Sequence, residues 1–587
     1  RTDAPEIQRE VVPSLACLSF DPLCRVEITK YGGLPPLMTA LREANNKCDS
    51  EFGGLKAPRK ARRDTQAGSG GLQGSVSEGE SLPKGESGGV VPALTLPPPP
   101  GSSSQGDTSV ASAVQGESLG SKAPPVSDAA LTNAEQQRLA LVTLANLAED
   151  VENLHMLVDA GLLPELLVAL TATYDYPSET RLVRREACRC LANLAVQVDL
   201  GAKILQLGAL PPLLRLLCGE CKEACSRMAG LCIANLSSNL ATQGVMLAEG
   251  LLEPVQRLSI ASLDPKNMVD AETVRYCLLT IANLAVLPAN HPRMLYEPPL
   301  DKDTVDNGPK SILAALAGFA GHGDIKCRQN AVLAIGNLCS NPSNHVAIME
   351  LGCAATLATY AYPSTDATDN AGINVQFQAV AGLRGLASHP TIRVQLMRDN
   401  VMEPLMLAAT ATSAQAKAFD DKAGDEAGSK EAKEKKAKKE EEVNLDELDD
   451  VAATGQTAAG NPGGNPGGAL AGQGKGQGGM VVDAEVQREV AACLCNLAGA
   501  EENKVEMVQR GVMLALANLC KSPDRAMQTH AAATLANLCE MVEGLTQQSL
   551  VDQGLYKCLL GLRDNPHAPV RVDVARCLAL LCAKWGS

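Results

Sequence analysis

The sequence predicts an all-α superhelical solenoid of about ten repeats, and three observations predict it. A short core, Leu-Ala-Asn-Leu in its commonest form, recurs along the chain. A glycine stands fifteen residues after the Asn of several copies, and a proline follows closely. Aromatic residues make up only 2% of the chain, while Ala, Leu, Val and Cys fill the stretches between the cores. Such a composition suits small-residue helices in close contact, each repeat burying its face against its neighbours.

The unit is clearest in Glu186–Leu217, EACRCLANLAVQVDLGAKILQLGALPPLLRLL. It reads as a helix ending on Leu191-Ala192-Asn193-Leu194, a short helix, Gly208, and a further helix opening on Pro211-Pro212, so that the Asn-bearing helix closes each unit as its third. The Asn slot is filled by Asn146, Asn193, Asn235, Asn283, Asn337, Asn496 and Asn537, with Cys17, Gly385 and Leu580 in degenerate copies. With one wide exception, successive slots from Asn146 onward recur every 41 to 54 residues, the longer units carrying small extra loops. That spacing reduces to a unit of roughly 42 residues, in the range of three-helix repeats.

Two gaps are wide, from Cys17 to Asn146 and from Gly385 to Asn496. Each equals one ordinary unit plus an insert. The first insert, 47–131, is rich in Gly, Ser and Pro and includes Pro97–Pro100, read as linker rather than polyproline ligand. The second, 412–481, is charged (KEAKEKKAKKEEE) and then Gly-rich. Neither holds enough apolar surface to offset ordering entropy, so both are expected to be disordered. The expected organisation is an N-terminal repeat segment in 1–46, central repeats in 132–411, and C-terminal repeats with a cap in 482–587. Both inserts fall in the connection between the second and third helix, so they line one edge and leave the stack unbroken.

The turn residues repeat as faithfully. Gly161, Gly208, Gly250, Gly352 and Gly511 stand fifteen residues after their slots, with Asn400 after Gly385. Gly and Asn enter the left-handed region at least cost, so a tight helix–helix turn is predicted at each. Pro35, Pro36, Pro164, Pro211, Pro212, Pro254 and Pro404 then fall in a helix first turn, where a missing N–H costs nothing.

The segments LCIANLSSN…MLAEGLLEPVQRL and NAVLAIGNLCSNPSNHVAIMELG resemble armadillo repeats. The resemblance covers nearly all of 1–46, 132–411 and 482–584, and extends faintly to vacuole-anchored fungal adaptors and flagellar central-apparatus members of the family. It implies three helices per repeat, a right-handed superhelix, and third helices that line a concave partner-binding groove. Nuclear-import members carry Trp four residues before the Asn slot. Here that position holds Val142, Arg189, Leu231, Leu279, Leu333, Ala381, Ala492 and Ala533, which disfavours that role.

Composition narrows the function further. A net charge of −15 argues against nonspecific nucleic-acid binding, and no nucleic-acid partner is expected. A membrane-spanning helix needs about 20 consecutive apolar residues. No such run is present, so no transmembrane segment is expected. The chain opens on Arg1 rather than Met, so a preceding segment is expected, which leaves N-terminal acylation and peripheral membrane association open. Most of the 20 Cys sit inside apolar helices as small hydrophobes, favouring a reducing compartment. The expected location is cytoplasmic, with cytoskeletal, ciliary or membrane-peripheral placement open.

No catalytic residue, metal or cofactor is assigned. The seven His are scattered without ligand or triad spacing. Gly468…Gly474-Lys475-Gly476 lacks the glycine spacing and hydroxyl of a phosphate loop. Cys218, Cys221, Cys225 and Cys232 have spacing that zinc would accept, but a Cys-rich helix corner with Cys225 and Cys232 facing the core is the simpler reading.

The candidate site is the third-helix face. Asn146, Asn193, Asn235, Asn283, Asn337, Asn496 and Asn537 either cap carbonyls near helix ends or bond a partner's backbone, as the resemblance implies; an amide suits both tasks. Arg138, Arg185, Arg227, Arg275 and Arg488 stand eight residues before their slots, about 80° around the helix. Arg189 stands four before. These arginines either pair with neighbouring carboxylates or form a basic groove that selects an acidic, partly aliphatic segment, extended or helical. Glu440–Asp450 of the second insert has that chemistry and would compete for the groove from its tether. The expected function is a non-enzymatic scaffold or adaptor for protein partners. The alternative is a structural subunit of a cytoskeletal or ciliary assembly.

Overall fold

The computed structural model describes residues 5–49, 132–219, 223–267, 269–295, 311–363, 370–413, 481–540 and 544–585. Nearly all of both inserts, including Glu440–Asp450, lies outside the described residues. Within them the architecture is the all-α solenoid that the repeat predicts. Ten long helices form one layer: α1 (Pro5–Leu18), α2 (Asn133–Leu147), α3 (Pro177–Leu194), α4 (Glu223–Ser237), α5 (Ala271–Leu284), α6 (Ile325–Leu338), α7 (Asn370–Ala387), α8 (Ala484–Leu497), α9 (Arg525–Cys539) and α10 (Ala568–Trp585). Each packs on the next in sequence order, including α1 on α2 and α7 on α8 across the two inserts. Between consecutive long helices run shorter ones, such as Val198–Gln206 and Leu210–Leu217.

Local chemistry sets these boundaries. The slot asparagines fall at the ends of the long helices, one residue before the last in α2, α3, α5, α6 and α8. At the other end Thr132, Asp270, Asp324, Asp483 and Asp524 accept a hydrogen bond from a first-turn backbone N–H, the usual device for satisfying orphan donors. The predicted turns are left-handed: Gly161, Gly208, Gly250, Gly352 and Gly511 have φ between 68° and 87°, and Asn400 has φ 59°. Gly32 and Gly554 add two turns of the same kind.

One hydrophobic core runs from Val12 to Leu581 without a break. It is made of the small and medium side chains the composition predicts, with Phe319 the largest fully buried one. The edge where the inserts attach carries a little extended structure. β1 (Thr412–Ser413) pairs in parallel with β2 (Val481–Val482) at the root of the second insert, and Asp49 bridges Thr173 at the root of the first. No single helix among the described residues is long and apolar enough to cross a membrane.

Candidate partner-binding face

The asparagine row is a structural ladder. Asn193 donates its amide N–H to the Ala145 carbonyl at 2.9 Å, Asn235 to Ala192 at 2.9 Å, Asn283 to Ala234 at 3.1 Å and Asn337 to Ala282 at 3.1 Å. Asn496 reaches the Arg384 carbonyl at 3.4 Å across the second insert, and Asn537 reaches Cys495 at 3.5 Å. Asn146 bonds Ser19 Oγ at 2.9 Å instead. In every rung but that one, the acceptor is the residue just before the preceding slot. Most of these carbonyls sit in the last helical turn, where the backbone N–H four residues on turns instead to the slot residue's own carbonyl, as Glu149 does to Asn146 and Val196 to Asn193. The ladder thus satisfies helix-end acceptors that lack an intrahelical donor, at about 1 kcal/mol of net stabilisation per rung.

This use of Nδ2 leaves Oδ1. Arg189 donates to Asn146 Oδ1 at 2.7 Å and Arg576 to Asn537 Oδ1 at 3.3 Å. Among the described residues no donor bonds the Oδ1 of Asn193, Asn235, Asn283, Asn337 or Asn496, and none of these oxygens is a buried orphan. One turn back on the same faces, Leu231, Leu279 and Leu333 are partly exposed, as are Met228, Tyr276 and Phe377 nearby.

The arginine row is not a row of free cations. Arg227 pairs with Asp270 at 2.8 Å and Glu272 at 2.7 Å, Arg275 with Asp324, and Arg488 with Asp524 at 2.8 Å. Each of these aspartates is the N-cap of the next long helix, so one carboxylate serves a helix terminus and a guanidinium together. The Arg275 hydrogen bond holds Asp324 well below the usual carboxylate range. Burial works to raise Asp270 and Asp524, but Arg227 and Arg488 outweigh it and keep both lowered. Arg185 and Arg189 share Glu186, at 2.6 Å and 2.9 Å, and Arg189 also reaches Glu149. Arg138 alone of the six carries no ion pair among the described residues. The expected basic stripe is therefore neutralised along most of its length, because the carboxylates that begin each next helix already occupy it.

Two glycines interrupt the pattern. At the slot itself Gly385 offers no amide, and a Cβ there would lie 2.7 Å from the Cys339 carbonyl oxygen. A Cβ on Gly336 would lie 2.6 Å from the Gln378 carbonyl oxygen. Helices α6 and α7 thus meet backbone to backbone, where the other junctions are spanned by a side chain.

A second polar row went unnoticed in the sequence. Seven residues after the slot, Asn153, Thr242, Asn290, Asn344 and Asn503 bond the carbonyls of Leu147, Leu236, Leu284, Leu338 and Leu497 at 2.9–3.1 Å. One residue further, the buried rings of His291 and His345 bond the Ala285 and Cys339 carbonyls through Nε2 at 2.8 Å. The signal was present in Pro-Ala-Asn-His and Pro-Ser-Asn-His, which stand one repeat apart. His291 Nδ1 faces Asn344 Nδ2 at 2.9 Å, whereas Ile392 replaces that Asn one repeat on and His345 Nδ1 has no partner.

Burial lowers the pKa of His291 and His345 below 6.5, against a backbone hydrogen bond that raises each; burial lowers His530 likewise. As pH falls below about 6.5, the unfolded chain takes up protons that these native imidazoles refuse, so stability falls with pH through that window. The guanidinium midpoint is expected to drop between pH 7.5 and 5.5, before the carboxylates titrate. An unchanged midpoint would refute it.

Comparison with known proteins agrees with this architecture. The armadillo/beta-catenin-like repeat matches residues 500–540, which span two short helices and α9, one complete unit. A comparison with curated proteins gives no match. Among solved structures, an engineered protein from the Northeast Structural Genomics Consortium shares 19% identity over 99% of this chain and 96% of its own, with a TM-score of 0.60. A designed armadillo repeat protein in complex with peptide (KR)4 shares 23% identity over 43% of this chain and 93% of its own, with a TM-score of 0.34. The whole-length likeness shows the fold. The armadillo-type unit matched at 500–540 has the order of two short helices and one long helix that recurs along the described residues.

None of the described residues forms a group of three or more His, Cys, Asp or Glu able to hold a metal ion. Of the zinc-spaced cysteines, Cys225 and Cys232 are buried in the core, Cys218 is exposed, and Cys221 lies outside the described residues.

Proposed function

We propose that the chain is a non-enzymatic, cytoplasmic protein-binding scaffold, holding partner segments along the face formed by the long helices. The observation that carries this reading is the row of unbonded Asn Oδ1 acceptors beside Leu231, Leu279 and Leu333. Such a track matches an aliphatic segment whose backbone N–H groups point at the amides and whose side chains cover the leucines. With the arginines paired, net positive attraction contributes little, so an aliphatic partner is favoured over a strongly acidic one. The adaptor role within this reading rests on the groove. The cytoskeletal or ciliary alternative would rest on the outer helices and the edge.

The test separates them. Leu231, Leu279 and Leu333 are changed together to Glu, three partly exposed sites whose exchange leaves the ladder intact. A second variant places charges on the outer short helices. Loss of a discrete set of captured proteins with the first variant alone, at unchanged circular dichroism, supports groove binding. A set lost only with the second variant overturns it in favour of the structural-subunit reading.

A further inference from the structure

We propose that two copies of this chain pair about a two-fold axis at the short helix Leu240–Ala248, whose outward face is the centre of the contact. That helix, LATQGVMLA, follows α4 and carries no Asp, Glu, Lys or Arg. The corresponding helices of the two repeats on either side are charged: Asp159 in Leu154–Asp159, Asp199 and Lys203 in Val198–Gln206, Arg293 in His291–Met294, and Glu350 in His345–Glu350. Its inward face is fixed in the stack. Thr242, Gln243 and Met246 are buried, and Gln243 donates to the Ser237 and Asn283 carbonyls, both at 2.9 Å, while accepting from Asn290 at 2.8 Å. Its outward face, Leu240, Ala241, Gly244, Val245 and Ala248, is exposed.

The apolar surface continues onto the neighbouring repeats at equivalent positions. Val198 and Leu240 each stand five residues after a slot, and Val196 and Val286 each stand three after. These four and Val245 are 40–60% exposed. A run of exposed aliphatic side chains across successive repeats marks an interaction surface rather than scattered exposure. The contact uses none of Leu231, Leu279, Leu333 or the slot asparagines, so it stands apart from the proposed partner track.

Two features select a second copy as what covers this face. At a two-fold axis each residue meets its own counterpart, so a charged residue there would face its like. Of the short helices that directly follow the slots among the described residues, this one alone is free of charge. The second feature is Gly244. It stands in mid-helix, where Gly is less favourable than Ala, yet nothing of this chain lies within 4 Å of where its Cβ would be. Gly230, Gly336 and Gly382, by contrast, each make room for a neighbouring helix. The space over Gly244 serves close approach only once another helix crosses it. An antiparallel crossing there lays Gly244 on Gly244 and sets Leu240 of each copy against Ala248 of the other, large on small at both ends. The same rotation brings Val198 of one copy toward Val286 of the other. It also sets Arg293 beside the helix that bears Asp199 and Lys203, a rim of mixed sign rather than of like charge.

The test is sedimentation velocity of the full chain over a rising micromolar concentration range. The unaltered chain is expected to pass from 61.3 kDa to twice that mass. Gly244→Glu and Gly244→Lys have open space for their side chains in a single copy. Each should keep its circular dichroism and stay monomeric, with self-association weakened by roughly a hundredfold or more as like charges meet. Mixed in equal amounts, the two variants should recover the dimer, because Glu then faces Lys. An unaltered chain that is monomeric at every concentration leaves this face to a different protein and overturns the proposal. So do charged variants that pair as the unaltered chain does, or a mixture that stays monomeric, since either places any self-contact elsewhere.

Discussion

Replacing Gly385 with Asn, the residue that seven other copies carry at this slot, is expected to destabilise the stack by about 1–3 kcal/mol. A repeat consensus would predict the opposite, since the substitution supplies a missing rung. The structure explains the reversal. The first atom of any side chain at Gly385 would sit 2.7 Å from the Cys339 carbonyl oxygen, a backbone atom that cannot swing aside. Gly382 and Gly336 share the contact: a Cβ on Gly382 would lie 3.1 Å from the Gly336 Cα. Helices α6 and α7 must separate to admit Asn, which opens the packing of Leu357 and Cys339 beneath them. The measurement is the guanidinium midpoint of Gly385→Asn against Gly385→Ala. Both should fall, Asn at least as far as Ala. A midpoint raised by Asn would show that the junction can widen and that the ladder rung dominates.

That junction also marks how far sequence reading reaches. The period, the left-handed turns at Gly161 or Gly511, and the continuity of the stack past both inserts were legible, because each rests on a residue type with one local physical requirement. Gly385 was legible as a slot without Asn, but nothing in LRGLA says that its helix touches Cys339. Close approach is a property of two helices at once. The arginines were underdetermined for the same reason. Arg227 and Arg275 are visible as a stripe, and Asp270 and Asp324 are visible as helix caps. Their meeting depends on how far one repeat is rotated against the next. The slot asparagines divide likewise: the ladder needs the previous helix end in reach of Nδ2, a distance no single repeat contains. The buried histidines match no metal or triad spacing, and their order shows only when Pro-Ala-Asn-His and Pro-Ser-Asn-His are set one repeat apart.

Changing Glu186 to Ala is expected to cost about 3 kcal/mol, the largest loss foreseen from a single polar group here. Glu186 is 4% exposed, in the middle of α3, and holds two guanidiniums. Oε1 accepts from Arg185 at 2.6 Å and 2.9 Å, and Oε2 accepts from Arg189 at 2.9 Å. Burial by itself would raise its pKa, but Arg189 and Arg185 outweigh burial and leave it lowered. Its contribution is therefore full above the unfolded value near 4.5 and is lost as pH falls through the lower native value. Removing the carboxylate leaves Arg189, itself only 25% exposed, with Glu149 as its remaining acid. Since Arg189 also fixes the Asn146 Oδ1, the loss should spread to the junction of α2 and α3. The discriminating comparison is Glu186→Ala against Glu186→Leu combined with Arg189→Met. A lone deletion strands buried charge, whereas replacing both partners by apolar groups of similar volume removes the need for the pair. The double variant should recover most of the lost midpoint. If it falls further than Glu186→Ala, the ion pair stabilises the stack in its own right, through the Arg189 bridge to Asn146 and Glu149.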